Sequence, residues 1–201
     1  MTPAAASSSA TRPAFTFPER EGAALRTAYQ EAEVILEYGA GGSTVLAAEL
    51  PGKQVFSVES DADFLHGIAA WFDDNPPRAQ VVLHHADIGP TREWGHPKSE
   101  AGWRRFASYP LGIWDRDDFT HPDVVLVDGR FRAGCALATA FRITRPVTLL
   151  IDDYRHRDQY HEVEDFLGAP ILIGRLAVFD VTPMPIPADR LGDVIRMMTR
   201  A

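Results

Sequence analysis

Six carboxylates stand at the ends of short apolar runs in this chain of 201 residues. They are Glu37 after Val34-Ile-Leu36, Glu59 after Gln54-Val-Phe-Ser-Val58, Asp87 after Gln80–His84, Asp128 after Asp123-Val-Val-Leu-Val127, and the pair Asp152-Asp153 after Pro146–Ile151. Runs that are apolar without alternation read as strands covered on both faces, the mark of a mainly parallel sheet. Successive parallel strands deliver their C-terminal ends to one edge. The six acids then share a rim, where they repel one another unless cationic ligands, hydrogen-bond donors or a metal ion compensate them.

Between the first two acids lies Glu37-Tyr-Gly-Ala-Gly-Gly-Ser43, followed by a run of helix formers. A strand that turns on Gly39, Gly41 and Gly42 into a helix leaves backbone N–H groups unpaired and lets a ligand approach the main chain. In doubly wound sheets this crevice takes nucleotide-like cofactors. The dinucleotide pattern Gly-x-Gly-x-x-Gly is broken at Thr44, and no Lys-Ser/Thr follows for a phosphate loop. Glu37, two places before the first glycine, would repel a pyrophosphate and suits a cationic group. Glu59 lies about 20 positions beyond Gly39, where such folds place the carboxylate that accepts from ribose hydroxyls.

The pattern Glu-x-Gly-x-Gly-x-Ser resembles motif I of the class I S-adenosylmethionine-dependent methyltransferases, and the resemblance spans roughly residues 18–181. It implies that Glu37, Gly39, Gly41 and Ser43 lie under the amino-acid end of the cofactor, that Glu59 holds the ribose, and that Asp87 and Ile88 meet the adenine amine and ring. Asp128 with Asp152-Asp153 resembles the divalent-ion site of metal-dependent small-molecule O-methyltransferases of the macrocin and novobiocin-tailoring kind, which implies Mg2+. A hard cation there would bind acceptor hydroxyls and stabilise the oxyanion. Asp128 is also placed to hold the cofactor's amino group, His156 or His161 to act as a base, and Arg130 to orient an anionic substrate. The third glycine of the motif is Ser43, and there is no Asn/Asp-Pro-Pro-Tyr segment, which disfavours methylation of bases or glutamine.

The elements that must position these residues follow from the pattern. The expected fold is α/β: a doubly wound, mainly parallel seven-stranded sheet in three α/β/α layers, with an antiparallel edge hairpin formed by 171–174 and 177–180. Helices are expected at 19–32, after the glycine turn, at 61–72, 133–142, 160–167 and 189–199. Residues 1–14, rich in Ala, Ser, Thr and Pro, read as a disordered tail before a single domain at 15–201. Phe15 and Phe17 read as staples of the first helix or as part of a lid. Residues 89–121, with Trp94, Trp103, Tyr109 and Trp114, form an irregular insertion that reads equally as an acceptor-pocket wall or a homo-oligomer contact.

Composition narrows the class. A net charge of -8 argues against a nucleic-acid partner. The single Cys135 excludes an intrachain disulfide and a thiolate zinc cluster, and reads as a small buried hydrophobe. No segment is long and apolar enough for a membrane span or a signal peptide, so a cytoplasmic protein is expected. The leading reading is an S-adenosylmethionine-dependent methyltransferase acting on a small molecule, on oxygen and with metal assistance. A methyltransferase-like protein that binds a nucleoside or a protein partner without catalysis is the alternative. A nicotinamide-dependent oxidoreductase is disfavoured by Thr44 and Glu37.

Overall fold

The computed structural model describes residues 11–201. Helix α1 (Glu19–Glu31) starts after Pro18 with Glu19 and Glu21 in its first turn, which suits the positive end of the helix dipole. Strand β1 (Val34–Tyr38) turns on Gly39–Gly41 into α2 (Gly42–Ala48). Strand β2 (Gln54–Glu59) leads to α3 (Ala62–Asp74), whose N-cap Asp61 accepts from the Asp63 and Phe64 N–H groups. Next come β3 (Gln80–His85), β4 (Val124–Val127), α4 (Arg132–Arg142), β5 (Val147–Ile151), the short β6 (Ile171–Ile173), β7 (Leu176–Val181) and α5 (Leu191–Thr199).

The seven strands form one sheet in the order β3-β2-β1-β4-β5-β7-β6. Strands β1 to β5 pair in parallel, while β7 runs antiparallel to both β5 and β6. The fold is the three-layer, doubly wound α/β/α architecture. Side chains alternate between the faces even though the strands are apolar throughout. Ile35, Val55, Leu126 and Leu150 pack with Leu25 and Tyr29 of α1, whereas Leu36, Phe56, Val127 and Ile151 pack with Leu137 of α4 and Met197 of α5.

Register fixes the rim. Tyr38 is level with Val58 and Val127, and Val127 with Ile151, so the residues after β1, β2, β4 and β5 emerge side by side. Because β7 runs the other way, with Ala177 opposite Ile151, the tight turn at Gly174-Arg175 arrives at the same edge. The strand order reverses between β1 and β4, and in open sheets that reversal opens a crevice.

The insertion at 89–121 contributes part of the core. It folds into a small ribbon (Thr91–Arg92 with His96–Pro97) and short helical turns through 100–115. Phe106, Tyr109, Ile113 and Trp114 are buried against the sheet face that carries Tyr38 and Phe131. The Trp114 indole donates to Tyr38 Oη at 2.6 Å, and Tyr38 Oη donates to the Pro110 carbonyl at 2.7 Å. These aromatics pack on the sheet from short helical turns, while the ribbon tip at Glu93, Trp94 and Gly95 reaches the rim, so one segment supplies both core and wall.

Residues 1–10 of the expected tail lie outside the described residues. Residues 11–14 do not behave as a tail: Arg12 pairs with Glu49 at 2.6 Å, and the Ala14 carbonyl lies where a Cβ on Gly42 would sit. Phe15 stacks on Phe17 at 5.2 Å and covers Gly22 of α1. Cys135 is fully buried.

Candidate functional site

A cavity of about 540 Å³ opens at the reversal point. Its floor is the glycine turn, Gly39 to Ser43. One wall is Glu59, Asp61 and Phe64 after β2, and another is Asp128, Gly129 and Arg130 after β4. Pro13, Ala14, Thr16 and Phe17 form a third wall, and Glu93, Trp94 and Gly95 at the ribbon tip form the fourth.

Glycine is required at the two strand tips. Gly39 has φ +107, and a Cβ there would stand 2.5 Å from the Gly129 nitrogen. A Cβ on Gly129 would stand 2.1 Å from Tyr109 Oη. Between them the backbone is laced: Gly39 N–H donates to Val58 O at 2.8 Å, and Asp128 and Gly129 N–H both donate to Tyr38 O. Gly41 differs, because a Cβ there would meet nothing within 4 Å.

Glu37 does not line the cavity. It is fully buried beneath the turn, where Tyr29 Oη donates to its Oε1 at 2.6 Å and its Oε2 has no partner among the described residues. Burial raises its pKa, against the pull of the Thr44, Tyr29, Ser43 and Ser57 hydroxyls. Thr44 Oγ1 accepts from the Gly41 N–H at 2.9 Å and bonds Ser57 Oγ at 3.1 Å. Glu37 therefore supports the glycine turn from below instead of facing a ligand, and that part of the expectation is corrected.

Glu59 faces the cavity. Its Oε1 accepts from the N–H groups of Ser60 at 2.6 Å and Asp61 at 2.9 Å, which fixes the carboxylate at the rim. Burial holds its pKa above the ordinary carboxylate range, opposed by those donors. Gly95, at φ +67, lets the ribbon close over it: a Cβ there would be 2.9 Å from Glu59 Oε1. Trp94, also left-handed at φ +63, is 80 % exposed at the mouth. Trp94, in the segment read as a pocket wall or a contact, and Phe17, read as a staple or part of a lid, both line the cavity, whereas nothing in the sequence pattern singled out Phe64 or residues 13–14. For the ribbon tip the adjacent Trp94-Gly95 pair was the available signal, since a left-handed tip next to an aromatic marks a built turn.

Asp87 and Ile88 are elsewhere. Asp87 is exposed, accepting from Gly89 N–H and from Arg105 Nη1 at 2.6 Å, and Ile88 is buried in the core. Neither residue is part of the cavity lining, which includes Phe64 and Trp94. His156 is exposed on the turn after β5 and outside the cavity lining, so its role as base is not supported by position. His161 is packed on Tyr154, with Nε2 3.1 Å from that residue's carbonyl.

The expected metal ligands are occupied by arginines. Asp152, 1 % exposed, is gripped by Arg175 through Nε at 2.9 Å and Nη2 at 2.6 Å. Asp153 pairs with Arg157 at 2.7 Å and with Arg175 Nε at 3.3 Å. Asp128 Oδ1 pairs with Arg132 Nη2 at 3.1 Å, and Arg132 also donates to the Asp128 and Asp152 carbonyls. A divalent ion needs oxygens converging at about 2.0–2.6 Å on one point, whereas here guanidiniums lie among them. The residues do not fit Mg2+, and no group of His, Cys, Asp or Glu among the described residues is arranged to hold a metal.

Asp128 retains a free face. Its side chain is 28 % exposed and lines the cavity, and Oδ2 makes no hydrogen bond among the described residues. Desolvation pushes its pKa up to about 6, against the pull of Arg132 and with help from Asp152 and Asp153.

Neither a protein-family model nor a curated protein matches the chain. Among solved structures, a methyltransferase-like protein from Silicibacter pomeroyi DSS-3 is 61% identical, superposes with a TM-score of 0.92, and the match covers 94% of this chain and 99% of that one. The chain belongs to the same family as this methyltransferase-like protein. More distant structures share the fold. The O-methyltransferase TomG from Streptomyces achromogenes, solved with S-adenosylmethionine, is 15% identical over 83% of this chain and 82% of its own, with a TM-score of 0.55. Cofactor-bound Rv0187 from MTB is 15% identical over 87% and 85%, with a TM-score of 0.57. No helix among the described residues is long and apolar enough to cross a membrane.

Proposed function

We propose that this methyltransferase moves a methyl group from S-adenosylmethionine to an oxygen of a small molecule, with Asp128 as the proton acceptor and without a divalent ion. One observation carries the reading: the glycine turn, Glu59 and Asp128 bound a single cavity at the reversal point of the sheet. When bound, the cofactor supplies an activated methyl on a sulfonium, so the protein's task is to position the acceptor and take its proton. Gly41, where a Cβ would meet nothing within 4 Å, leaves the main chain open to the ligand, and Glu59 offers a fixed carboxylate to its hydroxyls. Phe17, Phe64 and Trp94 exclude water from the walls. Asp128 Oδ2 would take the acceptor hydroxyl proton as the new carbon–oxygen bond forms, and a carboxyl held near 6 is suited to that at neutral pH. The small volume of the cavity and its acidic lining favour a small molecule over a polymer.

Calorimetric titration with S-adenosylmethionine and S-adenosylhomocysteine tests the cofactor. Binding in the micromolar range is expected, and no heat at millimolar ligand would remove the proposal. Cofactor binding without turnover across a broad library of hydroxylated acceptors would favour the binding-only alternative.

A further inference from the structure

Arg130 is the one cavity-lining arginine, and it lacks what its neighbours have. Arg132, Arg157 and Arg175 each pair with a carboxylate. Arg130 makes no ion pair among the described residues, and residues 1–10 contain no acid. Its Nη1 donates to His96 Nε2 at 2.6 Å. An arginine has only donors, so this bond requires the imidazole nitrogen to accept and the ring to be neutral. Burial, with Arg130, Arg92 and Arg157 nearby, lowers the His96 pKa and keeps it so. Arg130 Nε is buried and has no acceptor among the described residues, and Nη2 makes no hydrogen bond among them.

The unused Nε and Nη2 form one edge of the guanidinium, and that edge matches a carboxylate in two parallel bonds. The same edge is used twice elsewhere in this protein: Arg175 grips Asp152 with it, and Arg116 grips Asp118 at 2.8 and 2.7 Å. Arg130 is only half-buried, but its buried Nε–H is left without an acceptor, and such a donor is satisfied where a ligand completes it. Local charge agrees. Among the described residues no carboxylate lies within ion-pair distance of Arg130, and Arg132 and Arg157 add positive charge nearby.

We propose that the Nε/Nη2 edge of Arg130 is the carboxylate anchor of the cavity, positioned by His96 at the base of the ribbon. The inference rests on the methyltransferase reading, within which two sources supply that chemistry: the amino-acid end of the cofactor, or a carboxylate on the acceptor.

The test is calorimetry on the full-length protein, R130M and R130K. The probes are S-adenosylhomocysteine, 5′-methylthioadenosine (which lacks the amino-acid part) and benzoate, the last with and without S-adenosylhomocysteine. If the anchor holds the cofactor, R130M binds S-adenosylhomocysteine about tenfold more weakly or worse, binds methylthioadenosine as the wild type does, and R130K falls between. If it holds the acceptor, S-adenosylhomocysteine affinity is unchanged and benzoate binding to the loaded wild type disappears in R130M. The proposal is overturned if R130M matches the wild type toward every probe, including the case in which neither binds benzoate. Should the wild type bind neither nucleoside, the cofactor reading fails, and benzoate on the free protein still decides for or against the anchor. Melting temperatures guard against misfolding, with R130M expected to melt near the wild type because Arg130 makes no ion pair among the described residues.

Discussion

On the β1–β2 side of the rim, Glu59 faces a cavity with its carboxylate held by the Ser60 and Asp61 N–H groups and the Ser60 hydroxyl, with no cation. On the β5–β7 side, Asp152 ends a strand in the same way, yet both its oxygens are held by Arg175. The residue type and the position at a strand tip are alike. The difference comes from what else the fold delivers. The neighbour of β2 on its outer side is another parallel strand, which brings a further strand end, whereas β7 is antiparallel and brings the turn at Gly174-Arg175. A carboxylate at a strand end therefore lines a cavity on one side and forms a structural clasp on the other, decided by one strand direction.

The most damaging test of the clasp is Arg175→Met. It leaves Asp152 buried without a cation, and breaking such a pair from one side costs about 3–5 kcal/mol. A large drop in melting temperature is expected, with no gain in stability from added Mg2+ in the wild type. Marked stabilisation of the wild type by Mg2+ would restore the metal reading. Next in size, Gly129→Ala drives a Cβ into Tyr109 Oη and Gly39, an overpacking cost of about 1–3 kcal/mol, and S-adenosylhomocysteine affinity should fall with it. Gly41→Ala has open space and should change the melting temperature little, so equal losses in both would show that the tip contact is unimportant.

On the open side, Glu59→Gln should weaken S-adenosylhomocysteine by about tenfold, the value of a hydrogen bond to a charged group, with the melting temperature almost unchanged. Asp128→Asn should abolish the acid limb of kcat/KM, which in the wild type is expected near pH 6 because the base must be deprotonated. The sign of its stability effect follows from the raised value. The stabilising contribution is complete below the ordinary carboxylate pKa and is lost as the pH rises through about 6, so the variant should gain on the wild type over that interval. A flat pH profile in the wild type would remove Asp128 as the base.

Much of the fold was legible because apolar runs, helix starts and turn residues are local. The strand spans at Val34, Gln54, Val124 and Val147, and the hairpin after Gly168, needed only the neighbouring residues to be read. The cavity was partly legible for the same reason, since Gly39, Glu59 and Asp128 follow directly from strand ends. What was hidden is non-local. Arg175 reaches Asp152 across 23 positions, Arg105 claims Asp87 across 18, and Tyr29 takes Glu37 from the opposite helix. The aromatics of 103–119 carried no period because they cover the sheet from short turns instead of a helix. Pattern reading locates groups along the chain; partnership depends on the third dimension.

Pro13 and Ala14 form part of the wall around the ligand space, and the Ala14 carbonyl rests against Gly42. The stretch ahead of the first helix thus behaves as a latch laid across the doorway, outside the sheet that gives the protein its stability. Trimming the chain back to Phe15 would leave the barrel of the lock intact and change how long a guest stays, so residence time rather than melting is where such a cut would be felt.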